Sequence, residues 1–267
     1  MTVSSYVGSR LMSKRLFPLF AAVVWLAASA FATDTTAEFF AEFTKGAAAG
    51  DARSQFGLGV MYENGQGCET NYVEAIKWFR KAAEQGHARG QVALGSMYAH
   101  GRGVGKDETE ALKWYLKAAV QGDATGQLAV GSIYSLGRGV ATNQIEAIKW
   151  YRKAADQGDL TGVYNLGWTY SHGDAKDFAE AMKWFLKGAA QGEAICQHNV
   201  GAMYYEGQGV GKNPVEAYAW LALVGQGKYP PTDELRKTLE AEMSRVQIDA
   251  ARTRSEALAK ILLFSKH

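Results

Sequence analysis

The segment from Ala82 to Lys117 reads AAEQGHARGQVALGSMYAHGRGVGKDETEALKWYLK, and it decides the fold because the chain nearly repeats it. The next segment, 118–153, reads AAVQGDATGQLAVGSIYSLGRGVATNQIEAIKWYRK. Further copies occupy 154–187 and 188–223, and an earlier copy occupies 47–81. Self-similarity at a nearly fixed period is the signature of a repeat architecture, in which stacked units share one continuous core.

Each copy contains two helical patterns separated by a glycine-containing turn. In the second copy, Ala88–Ala99 carries apolar and small residues at helical spacing, and Thr109–Gln121 does so again. Gly101 and Gly103 interrupt the first pattern, and Gly122 is placed to take the left-handed conformation that ends the second helix. One such helix pair cannot bury its own apolar faces, whereas stacked pairs can. The pattern therefore predicts stacked pairs of α-helices.

One tryptophan and one tyrosine recur in every copy. The tryptophans are Trp78, Trp114, Trp150, Trp184 and Trp220, and the tyrosines are Tyr62, Tyr98, Tyr134, Tyr170 and Tyr204. Residues that are identical in every copy support the stacking of the helices, because stacking is the feature that all copies share. We therefore predict that both series belong to the core, as periodic apolar positions generally do.

The recurring residues resemble the Sel-one-like repeat family, an α/α relative of the tetratricopeptide repeats. They match A-x-x-Q-x-x-L-G-x-M-Y-x-x-G-x-G-V, followed by E-A-x-K-W-x-x-K-A-A-x-x-G, across roughly residues 47–223. The resemblance implies an all-α fold, an α/α right-handed solenoid of about five helix-turn-helix repeats with N- and C-terminal capping helices. The fourth copy departs from the pattern at Ser171-His172-Gly173-Asp174, which lacks the second glycine and the valine. We expect a tighter turn there.

The N-terminal residues 1–32 predict a cleaved signal peptide. Three basic residues precede an apolar run at 16–28, and small residues at 30 and 32 then suit a signal peptidase. Residues 33–267 would then form a single solenoid domain that is periplasmic or secreted, in a bacterial envelope. Met12 offers an alternative start, so the first eleven residues are a possible extension.

Both ends of the repeat array are predicted to be capped by helices. The segment 33–50 aligns with the second half of a repeat and predicts an N-terminal capping helix. After Leu223 the period stops, and C-terminal capping helices are predicted over 232–264, with Thr232 as an N-cap. Ser244 and Gln247 have the spacing of a capping box for the last helix.

Charge and cysteine usage exclude several function classes. The whole chain has 29 basic and 27 acidic residues, and loss of the signal peptide would leave it close to neutral. We therefore predict no nucleic-acid partner, because phosphate neutralisation requires a basic patch. Cys68 and Cys196 lie four repeats apart, so no disulfide is predicted between them.

No pattern of catalytic or metal-binding residues emerges. The glycine-rich turns at 101–106 and 207–212 lack the glycine order and the hydroxyl residue of a phosphate loop. His100 and His172 stand two repeats apart, too far to share a metal ion. We predict no catalytic residue, no metal and no cofactor, and hence no enzyme.

The first helix of each copy carries a stripe of residues that change from copy to copy. The spacing of four and then three places each trio on one helix face. The members of this first-helix stripe are Arg53, Gly57, Val60, Arg89, Ala93, Ser96, Thr125, Ala129, Ser132, Thr161, Asn165, Trp168, Ile195, Asn199 and Ala202. In helical-pair solenoids the first helices line the concave wall that binds partners.

Trp168 is the outlier of the first-helix stripe, because Val, Ser or Ala stands at its position in the other copies. It either anchors a partner, as tryptophan often does at interfaces, or fills space left by the short fourth turn. The candidate groove residues are Arg53, Arg89, Tyr164, Asn165, Trp168, His198 and Asn199.

The resemblance implies a secreted or periplasmic scaffold or adaptor that binds a protein or peptide in its concave groove. Sel-one-like repeat proteins act as adaptors in assembly, envelope signalling or host interaction. Two alternatives stay open. One is a cell-wall or β-lactam hydrolase, by analogy with cysteine-rich members of the family, although the chain contains no S-x-x-K, K-T-G or G-x-S-x-G motif. The other is a glycan-binding module that uses aromatic residues of the groove.

The exported protein is expected to begin near Thr33, because the basic, apolar and small residues before it follow the order of a secretory signal. N-terminal sequencing of the protein recovered after export measures this directly. Membrane-held protein that starts at Met1 or Met12 would contradict the prediction.

Overall fold

The computed structural model describes residues 35–174, 176–225 and 228–264, so the predicted signal peptide lies outside the described residues. Regular secondary structure in these residues consists of helices alone. They are α1 (35–48), α2 (Ala52–Asn64), α3 (Tyr72–Glu84), α4 (Ala88–His100), α5 (Glu108–Val120), α6 (Ala124–Leu136), α7 (Gln144–Asp156), α8 (Leu160–His172), α9 (Phe178–Ala190), α10 (Ala194–Glu206), α11 (Pro214–Leu223), α12 (Pro230–Glu242) and α13 (Arg245–Phe264).

The helices pair as the repeat pattern predicts. The first helix of each repeat is called the A-helix (α2, α4, α6, α8 and α10), and the second is called the B-helix (α3, α5, α7, α9 and α11). From α4 onward each A-helix packs on its own B-helix, and each B-helix packs on the next A-helix. The all-α, α/α-solenoid fold is therefore confirmed. The chain divides after Ala82 into two compact units, which are described separately.

Short polar side chains begin the helices, and glycines end them. The Asp123 carboxylate accepts a hydrogen bond from the backbone N–H of Gly126 at the start of α6, and Asp107 does the same for Glu110 in α5. At the end of α6, Gly137 has a φ of 67°. This left-handed conformation carries little steric cost for glycine alone.

The second glycine of the turn between A- and B-helix allows a close approach. Gly139 has a φ of 69°, and a Cβ added there would lie 2.9 Å from the Cβ of Glu108 in the preceding repeat. The hydroxyl of Thr109 donates to the Gly139 carbonyl at 3.3 Å. The turn of one repeat therefore lies directly on the start of the previous B-helix.

The fourth turn differs, as its sequence predicts. Residues 173–177 join α8 to α9, whereas residues 137–143 join α6 to α7. Gly173 has a φ of −68° and a ψ of 174°, so its backbone is extended and does not take the left-handed form of the other turns. The shorter connection therefore uses a different path.

Within each repeat, a glycine of the A-helix lies beneath a large side chain of the B-helix. A Cβ added at Gly95 would be 3.0 Å from the ring of Tyr115, and one at Gly167 would be 2.5 Å from the ring of Phe185. Because the glycine has no side chain, the ring rests on its backbone. The two helices therefore pack closely, and any larger residue would separate them.

The recurring tryptophans lie in the core, as predicted, but to different degrees. Trp114, Trp184 and Trp220 are buried, and Trp78 and Trp150 are half-buried. The recurring tyrosines are half-buried. In the first four copies the lysine three residues later covers the tryptophan ring, and the Lys117 Nζ lies 3.8 Å from the ring centroid of Trp114. This cation–π contact explains why lysine and tryptophan recur together.

A buried glutamine joins successive elements of the second and third repeats. The Gln127 side-chain amide donates to the Ala119 carbonyl at 3.2 Å, and its carbonyl accepts from the Gln157 side chain at 2.8 Å. These bonds satisfy polar groups that burial would otherwise destabilise. Val163 stands at the equivalent position of the fourth repeat, so this link is replaced there by apolar packing.

Where a B-helix crosses the next A-helix, the space between the backbones holds one small side chain. At two crossings the B-helix carries it, because Ala118 faces Gly126 and Ala154 faces Gly162. At the fifth A-helix the arrangement is reversed, because the A-helix carries the side chain and the B-helix carries the glycine. A Cβ added at Gly188 would lie 2.5 Å from the Sγ of Cys196.

The first unit shows the same reversal, with Gly46 facing Ser54. Cys196 is therefore a packing residue, and its burial raises the pKa of the thiol to about 12. Cys68, which is half-buried, and Cys196 are both free thiols.

The predicted N-terminal cap is a helix, α1, that packs on α2 through one aromatic face. The ring of Phe40 meets that of Tyr62 edge-on, with centroids 5.4 Å apart. Phe43 covers Gly57. Phe39 points away from this face and is 56% exposed.

The C-terminal helices begin differently from the prediction in one respect. Thr232 is not an N-cap, because α12 begins after Tyr229, with Pro230 and Pro231 in its first turn. Proline suits that position, where its fixed φ fits the helix and its missing N–H has no helical partner to lose. Thr232 is fully buried instead, and its hydroxyl hydrogen-bonds the Nδ1 of His198 at 3.1 Å.

The last helix begins with the predicted capping box. The backbone N–H of Ser244 donates to the Gln247 side-chain oxygen at 2.9 Å, and the Gln247 N–H donates back to the Ser244 hydroxyl at 3.4 Å. Helix α13 then packs along α11, with Ala251 and Leu258 buried. The apolar end of the last repeat is thereby covered.

Exchanging the small residues Gly188 and Cys196 tests whether the crossing of α9 and α10 has room for only one small side chain. Gly188→Ala is expected to destabilise the protein by about 1–3 kcal/mol, because the added methyl group meets the Cys196 sulfur. Gly188→Ala combined with Cys196→Gly restores the arrangement of Ala118 and Gly126, so we expect it to recover most of that loss. Urea denaturation of the four forms measures the coupling.

Cys196→Gly alone is the matched control for the loss of the sulfur. The two substitutions should show a favourable coupling of about 1 kcal/mol or more, within the range for residues in contact. Strictly additive effects would mean that the two side chains do not compete for one space.

Candidate functional site

The first-helix stripe is accessible along its whole length. Each of its members is exposed or half-buried, and none is buried. The core residues of the same helices, such as Leu94 and Val130, are fully buried. The sequence prediction that variable and constant residues occupy different faces of the A-helices therefore agrees with their burial.

Trp168 lies on the surface, with 46% of its area exposed. Its ring stacks on that of His172, one helical turn later, with centroids 3.7 Å apart and planes 12° apart. The ring of Tyr164 lies on the other side, at 6.2 Å. Trp168 is therefore held by two neighbours of its own helix and remains open to solvent.

A cleft of about 210 Å³ opens beside this ring, between the fourth and fifth repeats. We call it the Trp168 cleft. Phe178, Phe185 and Met203 give it an apolar lining. The polar groups around it include Lys176 and Glu206, as well as two amide side chains, Asn199 and Gln208. The cleft therefore combines an apolar surface with hydrogen-bonding groups, as ligand sites commonly do.

The equivalent cleft between the second and third repeats is larger, at about 420 Å³. We call it the Arg138 cleft. Tyr115 replaces Phe185, His100 replaces His172, Lys106 replaces Lys176, and Arg138 replaces Gln208. Two members of the first-helix stripe, Ala129 and Ser132, line it, just as Asn199 and Ala202 line the Trp168 cleft.

Sequence reasoning missed the Arg138 cleft. Its signal was present in the aligned turns, where Arg138 stands at the position of Gln208. The first-helix stripe contains residues of the A-helices only, whereas the turns and the B-helices also line the clefts. The clefts form where an A-helix, a B-helix and the next turn converge.

The structure gathers four of the predicted groove residues around one place. Tyr164 and Asn165 belong to the same helix as Trp168, and Tyr164 also packs on Phe185 at 6.2 Å. Asn199 lines the Trp168 cleft, and its side chain donates to the Ile195 carbonyl at 2.7 Å.

His198, a predicted groove residue, is half-buried. Its Nδ1 hydrogen-bonds Thr232, and its ring meets that of Tyr229 edge-on at 5.0 Å. Burial lowers the pKa of the His198 imidazole. The chain entering α12 therefore covers this histidine, a contact between residues too far apart in sequence to be foreseen from helical spacing.

The two predicted arginines are both exposed. Arg53 belongs to the first compact unit, and Arg89 lies in the first turn of α4 in the second. Neither lines the Trp168 cleft or the Arg138 cleft. Arg89 therefore does not contribute to the cleft beside Trp168.

Two further properties concern the described part of the chain. It contains no group of three or more His, Cys, Asp or Glu residues placed to hold a metal ion. None of its helices has both the length and the apolar character that a bilayer crossing requires.

A comparison with known families matches five copies of the Sel1 repeat, at residues 52–87, 88–123, 124–159, 162–193 and 194–223. Among solved structures, the chain is similar to a Sel1 repeat protein from Oxalobacter formigenes, with 28% identity and a TM-score of 0.65 over 76% of this chain and 85% of that one. No curated protein matches the sequence.

A second similar structure is c5321, a protective antigen present in uropathogenic Escherichia coli strains that displays an SLR fold. The identity is 29% and the TM-score 0.50, over 83% of this chain. The match spans 56% of c5321, so that protein is considerably longer. The repeated sequence, the helix pairs and the five matched units agree, and the chain belongs to the Sel1 repeat family.

Proposed function

We propose that this protein is an exported adaptor, periplasmic or secreted, that binds a protein or peptide on its A-helix face with the Trp168 cleft as the anchor point. Sel1 repeat proteins generally serve as protein-interaction scaffolds, and their fold is generally non-enzymatic. The observation that carries the proposal is the exposure of Trp168 beside a cleft with an apolar lining.

An exposed tryptophan in this setting favours binding for a physical reason. Its ring presents a large apolar surface to water, and burial of such surface stabilises a complex by about 25 cal/mol per Å². The ring is also held in place by His172 and Tyr164, so little freedom is lost when a partner covers it. Fixed aromatic side chains of this kind are typical interface hot spots.

The hydrolase alternative requires a nucleophile next to a base, and the closest approach is Ser171 beside His172. The Ser171 hydroxyl lies 2.8 Å from the His172 Nδ1. It also donates to the Gly167 carbonyl at 2.9 Å, and the residue is only 6% exposed. This back-bonding is common for serine within helices, so the pair favours a structural role over an activated nucleophile.

Trp168→Ala is expected to weaken partner binding by about 2 kcal/mol or more, the scale of an interface hot spot. The free energy of unfolding should fall by only about 1 kcal/mol, because an exposed ring loses little more than its stacking on His172. A binding titration and a thermal melt measure the two effects separately.

Phe39→Ala is the matched control, since Phe39 is an exposed aromatic residue outside both clefts. The exported protein, Trp168→Ala and Phe39→Ala are each immobilised and exposed to envelope extract, peptidoglycan and a chromogenic β-lactam. We expect the exported protein and Phe39→Ala to retain one envelope protein, which mass spectrometry identifies. Trp168→Ala should not retain it.

Two results would overturn the proposal. Equal retention by all three forms would remove Trp168 from the binding surface. Stability loss of about 3–5 kcal/mol in Trp168→Ala, with unchanged affinity, would show that the ring acts as a buried aromatic residue. Retention of peptidoglycan, or turnover of the β-lactam, would favour the glycan-binding or hydrolase alternatives.

A further inference from the structure

The Arg138 cleft and the Trp168 cleft occupy equivalent places two repeats apart, yet they differ in chemistry. Each lies between the end of an A-helix, the start of its B-helix and the next A-helix. Positions that serve stacking are similar in both, whereas the exchange of Arg138 for Gln208 changes the charge. Two clefts of one geometry with different chemistry suit two different groups on one ligand.

The Arg138 cleft has an excess of positive charge. Lys106 is paired with Glu108, with the Nζ 2.8 Å from the carboxylate. Arg138 makes no ion pair with any described residue, so its guanidinium remains available for a carboxylate. Arginine binds carboxylates with two parallel hydrogen bonds when geometry permits.

The Trp168 cleft has no such excess. Gln208 replaces Arg138, and the charges of Lys176 and Glu206 are opposite. Its volume of about 210 Å³ is smaller than that of ordinary small-molecule pockets, which begin near 300 Å³. The aromatic lining therefore suits a single large apolar side chain.

The distance between the clefts follows from helix packing. Helix α4 contacts α6, and α6 contacts α8. Packed helices have axes about 8–10 Å apart, so two steps along the A-helices cover about 16–20 Å. An extended chain advances about 3.3 Å per residue, which places groups in the two clefts about five or six residues apart.

We propose that the two clefts bind one extended peptide segment of the partner, with an acidic side chain at Arg138 and a large apolar side chain beside Trp168, about five or six residues apart. This inference rests on the proposed function, because it specifies the chemistry of the ligand on the same A-helix face. The positive charge of Arg138 is the observation that favours a carboxylate as the group bound in the Arg138 cleft.

Synthetic peptides provide a test that does not require the natural partner. Each labelled peptide carries one Asp and one Phe, separated by three to nine positions of Gly-Ser linker, and fluorescence anisotropy measures its binding to the purified protein. We expect the affinity to peak when Asp and Phe are about five or six residues apart. Replacing Asp with Asn should weaken binding about tenfold, the value of a charged hydrogen bond.

Arg138→Gln is the sharpest variant, because it introduces the residue that the chain itself carries at Gln208. It should weaken binding of the Asp peptide about tenfold and leave binding of the Asn peptide unchanged. Lys149→Gln is the matched control, since it removes a charge from the exposed Glu146–Lys149 pair outside both clefts. A thermal melt of each form confirms that folding is retained.

The outcomes separate this inference from the proposed function. If Trp168→Ala abolishes peptide binding while Arg138→Gln and the spacing have no effect, the proposed anchor stands and the two-cleft inference fails. If neither variant changes binding, both fail. If Arg138→Gln weakens binding of the Asp peptide equally at every spacing, the Arg138 cleft is a site for single anions, and the two-cleft inference is overturned.

Discussion

The close crossing of successive helices is the constraint on which the rest of the structure depends. Within a repeat, the ring of Phe185 rests on the backbone of Gly167, and between repeats the backbones leave room for one small side chain. An extra methyl group in such a space typically costs about 1–3 kcal/mol. The exchange of Ala and Gly for Gly188 and Cys196 shows that each of these crossings pairs one glycine with one small side chain, whichever helix supplies it.

This constraint directs variation to particular positions. Residues that meet at crossings are restricted to small side chains, whereas the first-helix stripe and the cleft edges accept larger changes of size and charge between repeats. Trp168, Arg138 and Gln208 are examples, and each lies at or beside an inter-repeat cleft. A repeat protein can therefore change the chemistry of its surface without changing the geometry that positions it.

The C-terminal helices cover part of the last A-helix as well as closing the core. A terminal repeat has no following neighbour, and α13 covers α11 in its place. The chain that leads into α12 also places Thr232 and Tyr229 against His198. The A-helix of the last repeat is therefore partly covered at His198.

The amino-acid sequence is enough to predict the helix pairs, the glycine turns, the shorter fourth turn and the capping box at Ser244, because each depends on residues close together in the chain. It also located Trp168 as the unusual member of the first-helix stripe. Tertiary structure alone decided that Trp168 is exposed, that Thr232 is buried against His198, and that Arg138 faces a cleft with Tyr115. These outcomes depend on contacts between separate repeats and the C-terminal helices, and helical periodicity contains no information about which distant side chains will meet.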